Sequence, residues 1–342
     1  MIKTCSRGAQ AATLGAFVFL ALTQASNAQS SMQLYGLVDL AAGQFQAAGA
    51  PKMKALASGS MATSYLGLRG TEDLGDGLSA LVVLESYLRP DTGESGRFAG
   101  DAFWTRNSFV GLSGRVWTIA IGRNTTPLFV STLQFNAFGP SIPFSPSMRQ
   151  WLSGAAGVII GDTGWNDSMR YDSPTIGGIR ISLMGNLGEG KANAVGRNAT
   201  AQALYGSGPF AATVVWQSVK NATAPLPVGM ISQRTWQVGA SYDFAAIKLF
   251  GQYGKVDLDA AARRTTKLSD VGVSVPVGLG RVLAAYGRAS NSGAATYALS
   301  TASLGYDYHL SKRTDLYAVY MNERKTSVTP GNSYALGIRH SF

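Results

Sequence analysis

The last eleven residues of the sequence, 332–342, read Asn-Ser-Tyr-Ala-Leu-Gly-Ile-Arg-His-Ser-Phe. Every second position holds a large side chain, at Tyr334, Leu336, Ile338, His340 and Phe342. Successive side chains of a β-strand point to opposite faces, so this period of two predicts a strand with one largely apolar face.

The same pattern recurs upstream as segments of about ten residues, rich in aromatic and β-branched types and bounded by Gly, Pro, Asn or Asp. Such segments are typical of transmembrane β-barrels. We therefore predict an all-β fold, a 16-stranded antiparallel transmembrane barrel, with no amphipathic helical segment. The predicted strands are 32–44, 63–70, 78–88, 103–112, 117–122, 168–173, 179–186, 200–207, 210–220, 233–244, 247–258, 265–275, 281–290, 294–310, 314–324 and 332–342.

The connections between these strands alternate in length. Short turns alternate along the chain with longer loops, and the short turns lie at 71–77, 245–246, 276–280 and 311–313. This alternation is typical of outer-membrane barrels, which have short periplasmic turns and long external loops. An even strand number places both chain ends on the periplasmic side, where the first and last strands pair and leave no free edge.

One connection, residues 124–168, is much longer than the others. It contains several prolines and glycines together with six Phe and Trp residues. A loop of this length in a compact domain is functional or disordered, and its aromatic content argues against disorder. We expect this third external loop to fold inward and narrow the lumen.

The first 28 residues have the features of a secretory signal peptide. Lys3 and Arg7 precede an apolar run at 14–22, and small residues around Ala28 form a cleavage site. The run is too short to cross a membrane as a helix. We predict a signal peptide at 1–28 and a barrel domain at 29–342, beginning at Gln29.

Composition excludes several functional classes. The one cysteine, Cys5, lies in the predicted signal peptide, which excludes disulfides and thiolate chemistry from the mature chain. With only two histidines, His309 and His340, a histidine metal cluster is not expected, and no cofactor is predicted.

The charge balance is basic. Without Lys3 and Arg7, 27 basic residues remain against 19 acidic ones, a net charge of +8. The basic residues are scattered singly and form no patch, which argues against a nucleic-acid partner. A basic pore or the acidic headgroups of lipopolysaccharide explain the excess.

Four stretches of the sequence resemble the trimeric general porins of β-proteobacterial outer membranes. They are Met-Gln-Leu-Tyr-Gly-Leu-Val-Asp at 32–39, Leu-Gly-Leu-Arg-Gly-Thr-Glu-Asp-Leu-Gly at 66–75, Arg-Asn-Ser-Phe-Val-Gly-Leu-Ser-Gly at 106–114 with Gly122-Arg123, and Leu-Ser-Lys-Arg-Thr-Asp-Leu-Tyr at 310–317. The resemblance covers essentially the whole mature chain. It implies a homotrimeric outer-membrane pore for passive diffusion of small hydrophilic solutes and ions. The final strand resembles the signal read by the barrel-assembly machinery, carried by Tyr334, Leu336, Ile338 and Phe342.

Alternation along the strands assigns the residues that face the lumen, because the lipid-facing side must hold the apolar set. Charged lumen-facing candidates follow from this rule. They are Asp39, Arg69, Glu85, Arg170, Asp172 and Arg180, with Tyr65 beside Arg69.

The resemblance implies an arginine cluster on the wall that faces acidic groups across the constriction. Arg106 matches a wall arginine, Glu85 matches an acid of the third strand, and Arg149 looks like a loop arginine of anion-preferring members. Tyr65 stands where the family has an arginine, which weakens the cluster by one charge. Arg69, Arg106, Arg149 and Arg170 would attract anions, whereas Asp39, Glu85, Asp162 and Asp172 would oppose them. We therefore expect a mild anion preference.

Three alternatives remain at this point. A substrate-specific channel for a small organic anion or sugar would use an aromatic track such as Tyr35, Tyr65 and Tyr87. An outer-membrane enzyme would need a triad on the outer face, where His340 lies. An adhesin or structural barrel would need the long loop to fill the lumen.

Overall fold

A computed structural model describes residues 31–152, 158–187, 197–222 and 226–342. The predicted signal peptide lies outside these residues. The strands are β1 (Ser31–Phe45), β2 (Met53–Ser58), β3 (Tyr65–Gly75), β4 (Leu78–Arg89), β5 (Glu94–Ser95), β6 (Ser108–Gly114), β7 (Trp117–Thr125), β8 (Gly164–Asp172), β9 (Ile179–Asn186), β10 (Ala199–Ser207), β11 (Phe210–Val219), β12 (Ser232–Asp243), β13 (Lys248–Asp259), β14 (Arg264–Val277), β15 (Gly280–Gly293), β16 (Tyr297–His309), β17 (Thr314–Lys325) and β18 (Gly331–Ser341). Two helices, α1 (Pro127–Gln134) and α2 (Pro146–Leu152), lie between β7 and β8.

The strands form a closed antiparallel barrel. Apart from the short β2 and β5, each strand pairs with the next one along the chain, and β18 pairs with β1 from Leu37↔Ser341 to Gln44↔Tyr334. The short β5 pairs only with the end of β4. The short β2 pairs with residues 40–45 of β1, whereas β3 pairs with residues 31–37 of the same strand. The remaining sixteen strands close the ring, which confirms the predicted 16-stranded barrel.

The expectation of a chain without helices is wrong, because α1 and α2 lie in the predicted long loop. The side-chain oxygen of Thr126 accepts a hydrogen bond from Phe129 N, and Pro127 begins the first turn of α1. Both features favour a helix start. Helices of eight and seven residues are too short to show a clear helical period in the sequence.

The end of the chain closes the seam of the barrel. Phe342 N donates to Gly36 O at 3.1 Å, and Gly36 N donates to Phe342 O at 3.2 Å. A Cβ at Gly36 would lie 2.6 Å from the Phe342 ring, so only glycine leaves room for the terminal aromatic side chain. The side chains of Tyr334, Leu336, Ile338 and Phe342 are all exposed on the outer face, as the alternation predicts.

The two faces of the wall differ in the expected way. On β11, Val214 and Trp216 are exposed, whereas Val215 and Gln217, which alternate with them, are fully buried. Exposed apolar side chains on the outer face of such a barrel contact lipid. Among the described residues, no helix is both long and apolar enough to span a membrane.

The described part of the third loop, residues 126–152 and 158–163, lies against the inner face of the barrel. Ser131 Oγ donates to Gln237 Oε1 at 2.5 Å, and Gln237 Nε2 donates to Thr132 Oγ1 and to Gln252 Oε1, each at 2.9 Å. Gln237 is fully buried and lies on the face opposite the exposed Trp236 and Val238. The described part of the loop is therefore inside the barrel.

A row of glycines on five adjacent strands receives the loop. Each of these glycines faces the lumen, and a Cβ at its position would contact a loop residue. The pairs are Gly239 with Phe135, Gly254 with Trp151, Gly272 with Ala137, Gly287 with Pro146, and Gly305 with Phe138. We call this row the glycine trough. It brings the loop close to the wall of β12–β16.

Candidate functional site

The wall opposite the loop carries a charged cluster centred on Glu85. This carboxylate is 4% exposed and accepts hydrogen bonds from Tyr35 Oη at 2.7 Å and Asn107 Nδ2 at 2.5 Å. It also forms an ion pair with Arg106. The register of β1, β3 and β4 brings these groups together, since Tyr35 pairs with Gly67 and Gly67 pairs with Glu85.

Aromatic rings support the guanidinium groups of this cluster. The guanidinium carbon of Arg106 lies 4.0 Å from the ring centre of Tyr65, and that of Arg69 lies 5.0 Å from the ring centre of Tyr35. Cation–π contacts of this kind hold a cation in place without neutralising its charge. Tyr65 therefore serves as a platform for Arg106.

Arg69 differs from the other arginines of this wall in its partner. It donates to the amide oxygen of Gln33 from Nε at 2.9 Å and from Nη2 at 2.5 Å, and its side chain is exposed. An amide leaves the guanidinium charge uncompensated. Arg69 thus presents a net positive charge to water.

A second cluster joins the second loop, residues 90–107, to the root of the third loop. Asp162 lies between Arg97 Nη1, 2.5 Å from its Oδ1, and Arg123 Nη2, 2.8 Å from its Oδ2. Arg97 also pairs with Asp101 at 2.9 Å. Burial alone would raise the pKa of Asp162, but the hydrogen bonds and charges of Arg97 and Arg123 hold the pKa at about 2.

The sequence analysis missed Arg97 and Arg123. Arg123 lies in the Gly122-Arg123 pair that carries part of the family resemblance, and that pair was a signal for it. Arg97 lies in a loop without alternation, so its position could not be assigned from the sequence. The structure also places Glu323 of β17 beside Arg149 as its ion-pair partner, another residue that the sequence analysis did not single out.

Two of the predicted charges form a separate pair on β8. Arg170 Nε lies 2.8 Å from Asp172 Oδ2, and Ser182 Oγ donates to Asp172 Oδ1 at 2.5 Å. Arg170 also donates to Thr125 O at 3.2 Å, beside the root of the third loop. Arg170 therefore reaches from β8 toward the root of the third loop, whereas Asp172 is the last residue of the strand.

Two further predicted residues lie away from the clusters. Arg180 is exposed and is the second residue of β9, at the end of the barrel that carries the short turns. Asp39 is fully buried, with its carboxylate engaged by the backbone of residues 60–62. Neither side chain is brought together with Arg69, Arg106 or Glu85.

The loop end of the barrel contains an open cavity of about 700 Å³ between the first, second and third loops. Arg149 and Asp162 both line it, together with Arg97, Tyr87 and Phe129. The cavity lies directly above the Glu85 cluster, since Tyr87 follows Glu85 by two positions on β4. A solute that enters from this end passes the two clusters in turn.

The chain is similar to proteins of known family. A family model described as Gram-negative porin matches residues 11–327. Outer membrane porin protein 32 of Delftia acidovorans is 32% identical over 96% of this chain and 99% of that protein. An outer membrane porin protein of Bordetella pertussis is 25% identical, with the same coverage of both chains.

Solved structures give the same result. An anion-selective porin from Comamonas acidovorans matches with a TM-score of 0.79 and 27% identity, over 92% of this chain and 100% of that one. OmpF of Salmonella typhi, 15% identical, matches with a TM-score of 0.66 over 91% of this chain and 97% of that one, which shows a shared fold.

Proposed function

This chain belongs to the Gram-negative porin family, and we propose that it forms an outer-membrane channel for passive diffusion of small hydrophilic solutes and ions, with a mild anion preference. One observation carries the proposal. The third loop covers the inner face of β12–β16, while the opposite wall presents guanidinium groups to the lumen. A ring of sixteen strands is wide enough to leave an aqueous interior beside such a loop.

The channel works by electrostatics and needs no covalent chemistry. The open wall and the second loop carry five guanidinium groups and four carboxylates, and each of these guanidinium groups except that of Arg69 pairs with one of these carboxylates. They are Arg69, Arg97, Arg106, Arg123 and Arg170, with Glu85, Asp101, Asp162 and Asp172. A unit charge 4 Å from an ion contributes about 1 kcal/mol in water and about 4 kcal/mol near a protein surface. The excess charge of Arg69 therefore favours anions modestly, and the paired charges orient dipolar solutes.

The porin family consists of diffusion channels, so the chain is not an enzyme. On the outer face, the Nδ1 atom of His340 lies 2.9 Å from Thr314 Oγ1, a cross-strand contact. This contact accounts for the histidine without a catalytic role.

Several partners belong to the same proposal. The chain would be exported with a cleaved signal peptide at 1–28, inserted by the barrel-assembly machinery through its final strand, and assembled as a homotrimer among lipid and lipopolysaccharide. The similarity to the anion-selective porin from Comamonas acidovorans supports the ion preference. OmpT of Vibrio cholerae, which shares the fold, has a trimer form, and this supports the homotrimer.

A substrate-specific channel for a small organic anion is the second candidate. The loop-end cavity favours it, because Phe98, Phe129 and Leu152 line the space together with Arg97 and Arg149. Apolar walls with a few charged groups are typical of sites that bind small organic molecules.

Planar-bilayer recording of the purified, folded protein tests both candidates. Under a salt gradient, we expect stable conductance and a reversal potential displaced toward the anion equilibrium value. Absence of conductance would overturn the channel, and a cation-directed potential would overturn the anion preference. Block of the current by micromolar aromatic carboxylate would favour the substrate-specific candidate over the general one.

A further inference from the structure

We propose that residues 59–64 form a shelf inside the barrel that seats the tip of the third loop, and that Asp39 is the positioning residue that holds this shelf. The inference rests on the proposed channel function. It adds to the constriction a second inward element, which comes from the first loop.

Asp39 binds the shelf through its backbone. Its carboxylate accepts hydrogen bonds from Ser60 N at 3.2 Å, Met61 N at 2.9 Å and Ala62 N at 2.8 Å. The Ser64 hydroxyl donates to Asp39 O at 3.3 Å and lies 2.9 Å from Asp39 N. The side chains of Asp39, Ser60 and Ser64 are fully buried.

A carboxylate suits this position because consecutive N–H groups of a turn leave several donors pointing at one place. A buried charge is costly unless hydrogen bonds compensate it, and hydrogen bonds to an ionised acceptor are stronger than those between neutral groups. Three amide donors and one hydroxyl donor supply that compensation here. The shelf and the carboxylate therefore stabilise each other.

The hydroxyl donor reaches Asp39 from across the closing seam. Tyr317 Oη on β17 donates to Asp39 Oδ1 at 2.5 Å, although β18 lies between β17 and β1. Gly337 of β18 pairs with both Tyr317 and Ala41, and the Tyr317 ring occupies the space that a Cβ at Gly337 would need. The absence of a side chain at Gly337 lets the ring cross the strand.

The shelf contacts the third loop at its tip. Ser141 Oγ donates to Ser60 O at 2.6 Å, and Met61 belongs to one buried apolar cluster with Phe138 and Phe144 of the loop. The root of the loop is held separately, at Asp162. Loss of the shelf would therefore leave the tip held only by its contacts with β14 and β16, such as Phe138 with Gly305 and Ser303 Oγ with Phe144 O, while the root stays attached.

A mobile tip would change the channel in a specific way. The loop would leave and re-enter the lumen, and the open channel would show frequent transitions between conductance levels. The mean position of the guanidinium groups on the open wall would not change. We therefore expect noise and sublevels, with little change of reversal potential.

Single-channel recording of Asp39→Ala tests the inference. We expect the fraction of time in sublevels to rise about tenfold, which corresponds to the loss of about 1.4 kcal/mol of loop stabilisation. Asp39→Asn should be intermediate, because its amide oxygen still accepts hydrogen bonds. Tyr317→Phe and Ser141→Ala, which each remove one hydrogen bond, should give smaller increases.

Asp257→Ala is the control, since Asp257 lies on the outer face of β13 and pairs with Lys255. The Asp257→Ala channel should spend the same fraction of time in conductance sublevels as the parent channel. Quiet channels in Asp39→Ala would overturn the inference. If Asp39→Ala does not assemble, quiet channels in both Ser141→Ala and Tyr317→Phe would overturn it. Absence of conductance in the parent protein would instead overturn the proposed function.

Discussion

The inner face of β12–β16 and the inner face of β3–β8 line the same lumen but carry different residues. The first has the glycine trough and the buried amides of Gln233, Gln237 and Gln252, and the third loop covers it. The second carries arginines and acids that reach the lumen.

The difference follows from what each wall contacts. A covered wall needs close approach and mostly neutral hydrogen-bonding groups, because a buried unpaired charge is costly. Asp270 of β14 is the exception, a buried carboxyl group beside Gly287 and the loop. An open wall is solvated, so charges can stand on it at little cost and act on passing ions. The position of one loop thus decides where the barrel can hold its selectivity residues.

The largest expected effect comes from filling the trough. Gly254→Leu would place a side chain in the space of the Trp151 ring and push α2 into the lumen. Overpacking costs about 1–3 kcal/mol, and we expect single-channel conductance to fall strongly. Gly251→Leu is the matched control on the same strand, because Gly251 faces outward and has only Asp270 O within 4 Å. Equal conductance in the two variants would contradict the trough.

The second largest effect concerns the ion pairs of Asp162 with Arg97 and Arg123, which join the second and third loops and should weaken at low pH. The pKa of Asp162 is about 2, below the ordinary value of about 3.9. Because the pKa is lowered in the folded state, ionised Asp162 stabilises that state at any pH above the ordinary pKa. This stabilisation is about 2 kcal/mol, and it is lost as the pH falls from about 4 to about 2. The current fluctuations of single channels in a planar bilayer should therefore increase in this pH range.

Asp162→Asn should be noisy already at neutral pH and should show a weaker change in that acid window. A parent channel that stays equally quiet to pH 2 would show that Asp162 does not hold the loop root.

A smaller effect is expected from the open wall. Arg69→Glu reverses a charge that is paired with the neutral amide of Gln33 and so is not compensated. We expect the free energy of an ion in the pore to change by about 1 kcal/mol, which alters the anion-to-cation permeability ratio about fivefold. Reversal potentials under a salt gradient measure it. Arg180→Glu, at the turn end, is the control and should shift the ratio less. The same shift in both variants would mean that net charge alone sets the preference.

The smallest effect should come from Tyr35→Phe. It removes the hydrogen bond to Glu85 but keeps the ring beneath Arg69. A hydrogen bond to a charged group contributes about 1.5–3 kcal/mol to stability, so we expect a lower unfolding temperature with nearly unchanged selectivity. A large change of reversal potential would show that the Tyr35 hydroxyl itself tunes the pore.

Much of the fold was predictable because alternation is a local property. The sixteen strands and the outward face of β18 follow from the period of two. The short β2 was missed, since its six residues, Met-Lys-Ala-Leu-Ala-Ser, include no β-branched or aromatic side chain. The helices α1 and α2 were missed because loop contacts, and not an amphipathic pattern, stabilise them.

The candidate site was only partly predictable. Alternation tells which face a residue is on, and it placed Glu85 and Asp39 alike on the inner face. It does not tell what covers that face. Glu85 meets Arg106 at the lumen, whereas Asp39 is buried beneath the shelf, because residues 59–64 fold over it.

The sequence by itself determined the barrel, its strand number and which face of the wall a strand residue points to, because these depend on neighbours along one strand. Only the tertiary structure decided which inner wall stays open, which arginines pair with carboxylates, and that Arg97, Arg123 and Glu323 belong to the lumen. Those features depend on where the third loop lies, and its position is set by contacts with strands more than a hundred residues away, such as Ser131 with Gln237.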